Sequence, residues 1–269
     1  MTRSRDFCRD RTTRRTWIRK EPTNGDASPE ADMLGDALSY PAGDEIGRAA
    51  LRGSVVSVVA TAVGVRYAAV LAPSSLAVVP ALIALLGVVA LLGTATLVLV
   101  PGARGSSASV RSALRFGLRS FAVSIGFLLP PIVLLALSVT AMTEGPAVGG
   151  STRVLTLVPS TASILFFAAC AYVYPIALAA VASAGRVRAA ADADAIVPVA
   201  TDPAYFLRWT VGFSLVVLAT WLVVTTVSRG DAFGLLAAVA AAYLVVAGTR
   251  AVGVAYARAS TVDNVRSST

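Results

Sequence analysis

The chain has 269 residues, of which 56% are apolar and 14% are charged, and its mean hydropathy is +0.75. Soluble domains carry about 25% charged residues, so this composition excludes an ordinary water-soluble domain and predicts an integral membrane protein. The formal net charge of +8 is expected to come from basic loops on one side of the membrane and not from a nucleic-acid-binding surface.

Residues 1–32 differ in composition from the rest of the chain. They hold eight of the 23 basic residues and lack the apolar core of a signal peptide. Two interpretations stay open, a disordered Arg-rich tail or an upstream extension of the gene whose true start is Met33. A basic arm that binds nucleic acid or anionic lipid is the less favoured alternative.

A short motif follows this segment, since residues 36–41 read DALSYP and are followed by AGDE. Leu34 and Leu38 belong to a short apolar stripe, Tyr40 suits the depth of lipid headgroups, and Pro41 is expected to stop the helix. The motif therefore predicts a helix on the inner membrane surface. Its role is interpreted as anchoring, and docking of a cytoplasmic partner is the alternative.

Long uncharged runs follow, each near or above the roughly 20 residues that a helix needs to cross hydrocarbon. Lipid forces every backbone N–H and C=O to pair within its own segment, which favours helices. The predicted fold class is all-α, a polytopic bundle of six transmembrane helices with short interfacial amphipathic helices, in a domain at 33–259 before a polar tail at 260–269. The six helices are predicted at about 54–71, 76–100, 120–141, 160–182, 210–227 and 233–256.

Lys and Arg are concentrated in alternate connections between these helices. The N-terminal segment, the loops after the second and fourth helices and the C-terminal tail together hold 20 of them, whereas the three opposite connections hold two, Arg153 and Arg229. The positive-inside rule therefore places both termini in the cytoplasm, in a multi-pass protein of the cell membrane.

A reporter fused after Thr269 is consequently expected on the cytoplasmic side, and a reporter inserted near Gly149 on the outside. Labelling of each reporter with a membrane-impermeant reagent, in intact and then in permeabilised cells, measures this. The reverse labelling would overturn the predicted orientation.

Basic residues recur every four positions at Arg111, Arg115 and Arg119. Residues four apart lie on one helix face, so together with the apolar line of Leu114 and Leu118 they predict a basic amphipathic helix. Each Arg near an anionic leaflet contributes about 1 kcal/mol of attraction. These three side chains are predicted to contact anionic lipid headgroups on the cytoplasmic side.

Residue types exclude several kinds of active site. The chain has no His, which removes Ser-His-Asp catalysis, Cys-His catalysis and imidazole metal ligation. Cys8 and Cys170 are too few for a zinc or iron–sulfur site. Asp192 and Asp194 would point to different faces of a helix and are interpreted as a solvated charged turn. No catalytic, cofactor-binding or metal-binding residue is predicted, and we expect a protein that is not an enzyme.

Arg66 lies inside the first predicted span, about 12 residues from its start and beyond the middle of the membrane. From there its long side chain can reach the outer interface beside Tyr67. In the alternative interpretation it faces the bundle interior and binds an anion or a tyrosine hydroxyl. Arg66, Tyr67, Tyr172 and Tyr174 are therefore a candidate intramembrane polar cluster, next to the helix distortion expected at Pro175.

The DALSYP motif and two further stretches resemble an uncharacterised, mainly archaeal family of multi-pass membrane proteins whose members open with a DALxYP box. The further stretches are ALRFGLRSFAVSIGFLLPPIVLL at 113–135 and YPIALAAVASAGRVRAA at 174–190, which leads to DPAYFLRW at 202–209. The resemblance covers roughly residues 33–259. It implies the multi-pass architecture and no particular activity, because the family is a domain of unknown function.

Two function classes follow. The preferred one is a non-enzymatic scaffold or envelope-assembly protein that acts through its basic cytoplasmic face. The alternative is a permease or channel subunit for a small solute, with a cavity near Arg66 and residues 172–175. The expected partners are membrane lipids with anionic headgroups on the cytoplasmic side, and a second copy of the chain or another membrane protein. Nucleic acid and cofactors are not expected.

Overall fold

The computed structural model describes residues 29–43, 45–100, 110–144 and 150–266. Predictions for residues 1–28, with Cys8, and for Asp44, Gly149 and residues 267–269 therefore lie outside the described residues. Within them every regular element is helical. The eight α-helices are α1 (Pro29–Gly43), α2 (Glu45–Leu71), α3 (Val78–Leu99), α4 (Val110–Glu144), α5 (Gly150–Ala184), α6 (Ala193–Ala200), α7 (Pro203–Ser228) and α8 (Ala232–Arg266), with 3₁₀ turns at Ser75–Ala77 and Val187–Ala191.

Six of these helices, α2, α3, α4, α5, α7 and α8, are long and apolar enough to cross a membrane. This confirms the predicted all-α class and the number of spans. The helices extend past their predicted ends, since α2 begins at Glu45 and α8 continues to Arg266 through part of the expected polar tail. The apolar run sets only the part of a helix that fits in hydrocarbon, and polar flanking residues prolong the same helix.

The outer surface of the bundle is apolar, and its interior is built from small residues. Leu86 is 57% exposed, Trp221 66% and Val70 72%, which suits a lipid environment and not water. Small side chains inside let helices approach closely. Fully or nearly buried alanines include Ala177, Ala179, Ala219, Ala238, Ala241, Ala242 and Ala247.

The α2 and α3 helices pack through two reciprocal glycines. A Cβ atom at Gly64 of α2 would lie 2.6 Å from the carbonyl oxygen of Pro80 and 2.6 Å from the nitrogen of Ala84, both in α3. A Cβ atom at Gly87 of α3 would lie 2.8 Å from the carbonyl oxygen of Ser57 in α2. The two backbones are therefore in direct contact, and neither glycine leaves room for a side chain.

The second close pair is α7 with α8. A Cβ atom at Gly212 would lie 2.8 Å from the carbonyl oxygen of Gly248, and one at Gly248 would lie 2.9 Å from the carbonyl oxygen of Gly212. Because α8 also contacts α1, α2, α3, α5 and α6, it is the central helix of the bundle.

Hydroxyl groups connect α3, α4 and α5 in the interior. The Thr96 and Ser120 hydroxyl oxygens are 2.7 Å apart. The Ser124 and Tyr174 hydroxyl oxygens are 2.6 Å apart. Interhelical hydrogen bonds in lipid contribute about 0.6 kcal/mol on average and up to about 1.7 kcal/mol, so these two contacts help to set the register of the three helices.

The predicted helix around the DALSYP motif is present as α1, but Pro41 does not stop it. The helix contains Pro41 and continues to Gly43. A proline this near the end of a helix removes one backbone hydrogen bond, and the Pro41 ring is buried, so packing holds the last turn in place. The expectation that the helix ends at Pro41 is thus corrected.

Residues of the motif attach α1 to α8. The guanidinium carbon of Arg250 lies 4.6 Å from the centroid of the Tyr40 ring, a cation–π distance. The Tyr243 hydroxyl donates a hydrogen bond to the Leu38 carbonyl, and a methyl group at Gly47 of α2 would overlap the Tyr40 carbonyl. Tyr40 therefore contacts the bundle, in addition to any headgroup contact that its sequence position predicts.

The connection between α5 and α7 is also helical, where a solvated turn was predicted. Asp192 and Asp194 are exposed, as expected for solvated carboxylates. Val199, however, is only 3% exposed, and Ile196 packs against the same buried cluster. Apolar residues three apart on one face hold this short helix, α6, against the bundle.

Consecutive long helices joined by short connections run antiparallel, which gives the bundle two distinct ends. We call the end that carries α1, α6 and the C-terminal part of α8 the basic end. The α2–α3 and α7–α8 connections lie at the opposite end, which we call the far end.

Candidate functional site

An aromatic cluster joins α5 to α7 towards the basic end. The centroid of the Tyr172 ring lies 5.4 Å from that of Tyr205 and 5.0 Å from that of Trp209, both edge-to-face. Trp209 stacks on Phe213 at 4.9 Å, and Phe206 packs beside both Tyr172 and Trp209. Such ring pairs are each worth about 0.5–1.5 kcal/mol beyond the area they bury.

The same cluster satisfies backbone groups around Pro175. Proline has no N–H, so the carbonyl of Ala171, four residues earlier in α5, loses its helical donor. The Trp209 Nε1–H donates to this carbonyl at 3.1 Å. The Tyr205 hydroxyl donates to the adjacent carbonyl of Tyr172 at 3.2 Å. Side chains of α7 therefore bond to backbone carbonyls that precede Pro175.

Tyr172 and Tyr174 point to different neighbours. The Tyr172 hydroxyl donates to the carbonyl of Ala200 in α6 at 2.7 Å, whereas Tyr174 bonds to Ser124 in α4. Two residues separate their positions by about 200° around a helix, which explains the divergence.

The structure does not bring the four residues of the predicted polar cluster together. Arg66 and Tyr67 lie in the last turns of α2 at the far end, whereas Tyr172 reaches α6 at the basic end. Tyr67 is 58% exposed. The sequence shows the depth of each residue on its own helix, but not which helix it faces.

Arg66 lies instead on the rim of a cleft of about 170 Å³ between α2, α7 and α8. Its guanidinium lies against Gly230 in the α7–α8 connection, where a Cβ atom would be 2.7 Å from Cζ of Arg66. Arg66 is exposed, as expected for a side chain that reaches the outer interface. The other lining residues are Val59, Ala62, Val63, Thr226, Arg229, Asp231, Gly234, Leu235 and Ala238.

The cleft carries a net positive charge. Its one carboxylate, Asp231, caps the start of α8. The Asp231 Oδ1 accepts a hydrogen bond from the nitrogen of Gly234 at 3.0 Å. Among the residues that the structure describes, neither Arg66 nor Arg229 forms an ion pair. Arg66 and Arg229 therefore line the cleft together with one capping carboxylate.

The three arginines predicted to contact lipid headgroups all lie on α4. Arg115 is exposed and Arg119 is half-buried, while the side chain of Arg111 lies outside the described residues. The Arg119 guanidinium lies near Gly185, the residue that follows the last turn of α5. Gly185 has a φ of +68°, a conformation that is common for a glycine at the end of a helix. The headgroup contacts stay a prediction.

Sequence reasoning missed Trp209 and Arg229 as site residues. Pro175 was a signal for a residue such as Trp209, because a proline in a helix leaves the carbonyl four residues earlier without its usual hydrogen-bond donor. Nothing local to Arg229 connects it with Arg66. For metal ions, no group of three Asp, Glu or Cys residues that could hold one occurs within the described ranges.

Comparison with known protein families finds a match in the middle of the chain. A family model described as "Protein of unknown function (DUF4013)" matches residues 106–228, the part of the chain that contains α4 to α7. This confirms the expected resemblance to a family without an assigned activity. The DALSYP motif at 36–41 lies outside the matched residues. No curated protein and no solved structure matches the chain.

Proposed function

We propose that this protein is a non-enzymatic scaffold of the cell membrane, with both termini in the cytoplasm, and that a partner protein assembles on its basic end. The observation that carries the proposal is a contrast between two parts of the molecule. Thr96, Ser120, Ser124, Tyr174 and Trp209 form hydrogen bonds between neighbouring helices, whereas α6 and the turn before it present exposed side chains.

The interior polar groups support this proposal because they are used to hold helices together. Thr96 bonds to Ser120, Ser124 bonds to Tyr174, and Trp209 bonds to a backbone carbonyl. A transport pathway needs polar groups that face a water-filled route, and these groups face neighbouring helices.

The basic end has the features of a docking surface. Val187 is 43% exposed and Val197 is 55% exposed, and Arg186 and Arg188 beside them are exposed as well. Exposed apolar side chains among charges, on an element fixed by packing, are typical of protein interaction sites.

The alternative function, a permease or channel subunit, is favoured by the positively charged cleft at Arg66. The deeper walls of that cleft are formed by Val59, Ala62 and Ala238. Apolar walls disfavour the passage of a polar solute, and we therefore prefer the scaffold.

A photoreactive amino acid in place of Val197 is expected to give a discrete protein adduct after illumination of cells. The matched control is Trp221, which is 66% exposed on the apolar surface of α7 and is expected to give lipid adducts instead. Mass spectrometry identifies the cross-linked component. If Val197 and Val187 both yield no protein adduct, the scaffold proposal fails.

Proteoliposomes that contain the full chain test the alternative. A scaffold leaves the efflux of entrapped small anions and sugars equal to that of empty vesicles. Efflux that is faster than in empty vesicles, and is lost on Arg66→Gln, would establish the permease instead.

A further inference from the structure

Two arginines converge on one cleft at the end of the molecule where basic residues are scarce. The three connections that the sequence predicts on this side hold only Arg153 and Arg229, against 20 Lys and Arg in the opposite ones. Arg66 is a further exception, because it lies within the apolar run of α2, where charged residues are rare and often functional. That Arg66 and Arg229 line the same cleft points to an anionic ligand.

The geometry of the rim suits phosphate. Gly230 lets the Arg66 guanidinium lie directly against the backbone, and any side chain at this position would displace it. Guanidinium groups present paired N–H donors in a planar fork that matches two oxygens of a phosphate. Asp231 offsets one of these two positive charges, and its Oδ1 already accepts a hydrogen bond from the Gly234 nitrogen.

The walls of the cleft are apolar and extend away from this rim. Val59 and Val63 precede Arg66 on α2, and Leu235 and Ala238 follow Gly230 on α8. On both helices these residues lie further from the far end than Arg66 and Gly230 do. A ligand that is complementary to the whole cleft therefore has an anionic head and an apolar tail.

We propose that this cleft binds an anionic phospholipid of the leaflet at the far end. Its phosphate lies between Arg66 and Arg229, and the first part of one acyl chain lies along Val59, Val63 and Leu235. Free phosphate offers the same headgroup chemistry but leaves the apolar walls uncovered, which favours the lipid.

Titration of the purified full chain with phosphatidylglycerol, followed by native mass spectrometry, tests the proposal. The first lipid is expected to bind more tightly than phosphatidylcholine with the same acyl chains. Arg66→Gln is expected to weaken this first binding event about tenfold, because it removes a charge-assisted pair of hydrogen bonds. Arg229→Gln is expected to act in the same direction.

Two further variants test whether the affinity for the first lipid depends on the cleft itself or only on the number of positive charges. Gly230→Ala keeps every charge but pushes the Arg66 guanidinium out of position, so it is expected to weaken the first lipid as well. Arg186→Gln removes one positive charge from an exposed position at the basic end and is expected to leave the first lipid unchanged. Arg66 is exposed, so its variant is expected to keep the melting temperature of the unmodified protein.

Inorganic phosphate distinguishes the two sources of the headgroup chemistry. Phosphate alone is expected to leave the melting temperature unchanged. If phosphate raises it in the unmodified protein and not in Arg66→Gln, the site takes a free anion and the lipid assignment is overturned. If Arg66→Gln and Gly230→Ala bind phosphatidylglycerol as tightly as the unmodified protein does, the cleft is not a headgroup site.

Discussion

Gly87→Ala is expected to destabilise the protein by about 1–3 kcal/mol, the usual range for overpacking a close contact. The added Cβ atom would lie 2.8 Å from the Ser57 carbonyl oxygen and 2.9 Å from the Thr61 nitrogen. Both are backbone atoms of α2, so α2 and α3 must separate to relieve the overlap. Unfolding in mixed detergent micelles measures the loss.

The matched control for this change is Gly126→Ala in α4. A Cβ atom at Gly126 meets no atom within 4 Å, and alanine favours a helix over glycine by about 1 kcal/mol. The control is therefore expected to be neutral or stabilising. Equal destabilisation by the two variants would show that the reciprocal glycine contact between α2 and α3 does not exist.

Trp209→Phe is expected to destabilise the protein by about 1–3 kcal/mol, because it leaves the buried Ala171 carbonyl without a donor. An aromatic ring is kept, so most of the packing against Tyr172 and Phe213 remains. Thermal unfolding of the purified protein measures the effect. Trp221→Phe is the matched control, since Trp221 lies on the same helix and is 66% exposed.

A double-mutant cycle with Pro175→Ala tests the cause of that effect. Alanine at this position restores an N–H that can donate to the Ala171 carbonyl within α5. In the Pro175→Ala background, Trp209→Phe is therefore expected to cost about 1 kcal/mol less than in the unmodified protein. Additive effects of the two substitutions would mean that Trp209 acts through ring packing alone.

Local sequence features predicted the helices well and their ends less well. Hydropathy identified six spans because burial in lipid depends on the composition of each segment by itself. Pro41 was expected to end a helix, as proline often does, yet tertiary packing keeps it inside α1. The residues around Asp192 contain too short an apolar pattern to stand out, and α6 forms because Val199 has a buried cluster to contact.

For the candidate site, too, the sequence identified individual residues but not their partners. Arg66 was identified because a charge within an apolar run is conspicuous on its own. Its observed neighbours, Gly230 and Arg229, lie far away in the chain, and hydropathy carries no information on which helices adjoin. Tyr172 and Tyr174 were noticed as polar groups beside Pro175, but their partners are on α6 and α4.

The amino-acid sequence by itself determined that the chain is a six-helix membrane protein whose basic residues are concentrated in alternate connections. These properties follow from the transfer of single segments between water and lipid. Only the tertiary structure decided that Trp209 donates a hydrogen bond to the carbonyl left without a donor by Pro175, and that Arg66 and Arg229 line one cleft. Such pairings depend on which small residues let two helices touch, because in lipid helix association comes from close packing and not from apolarity.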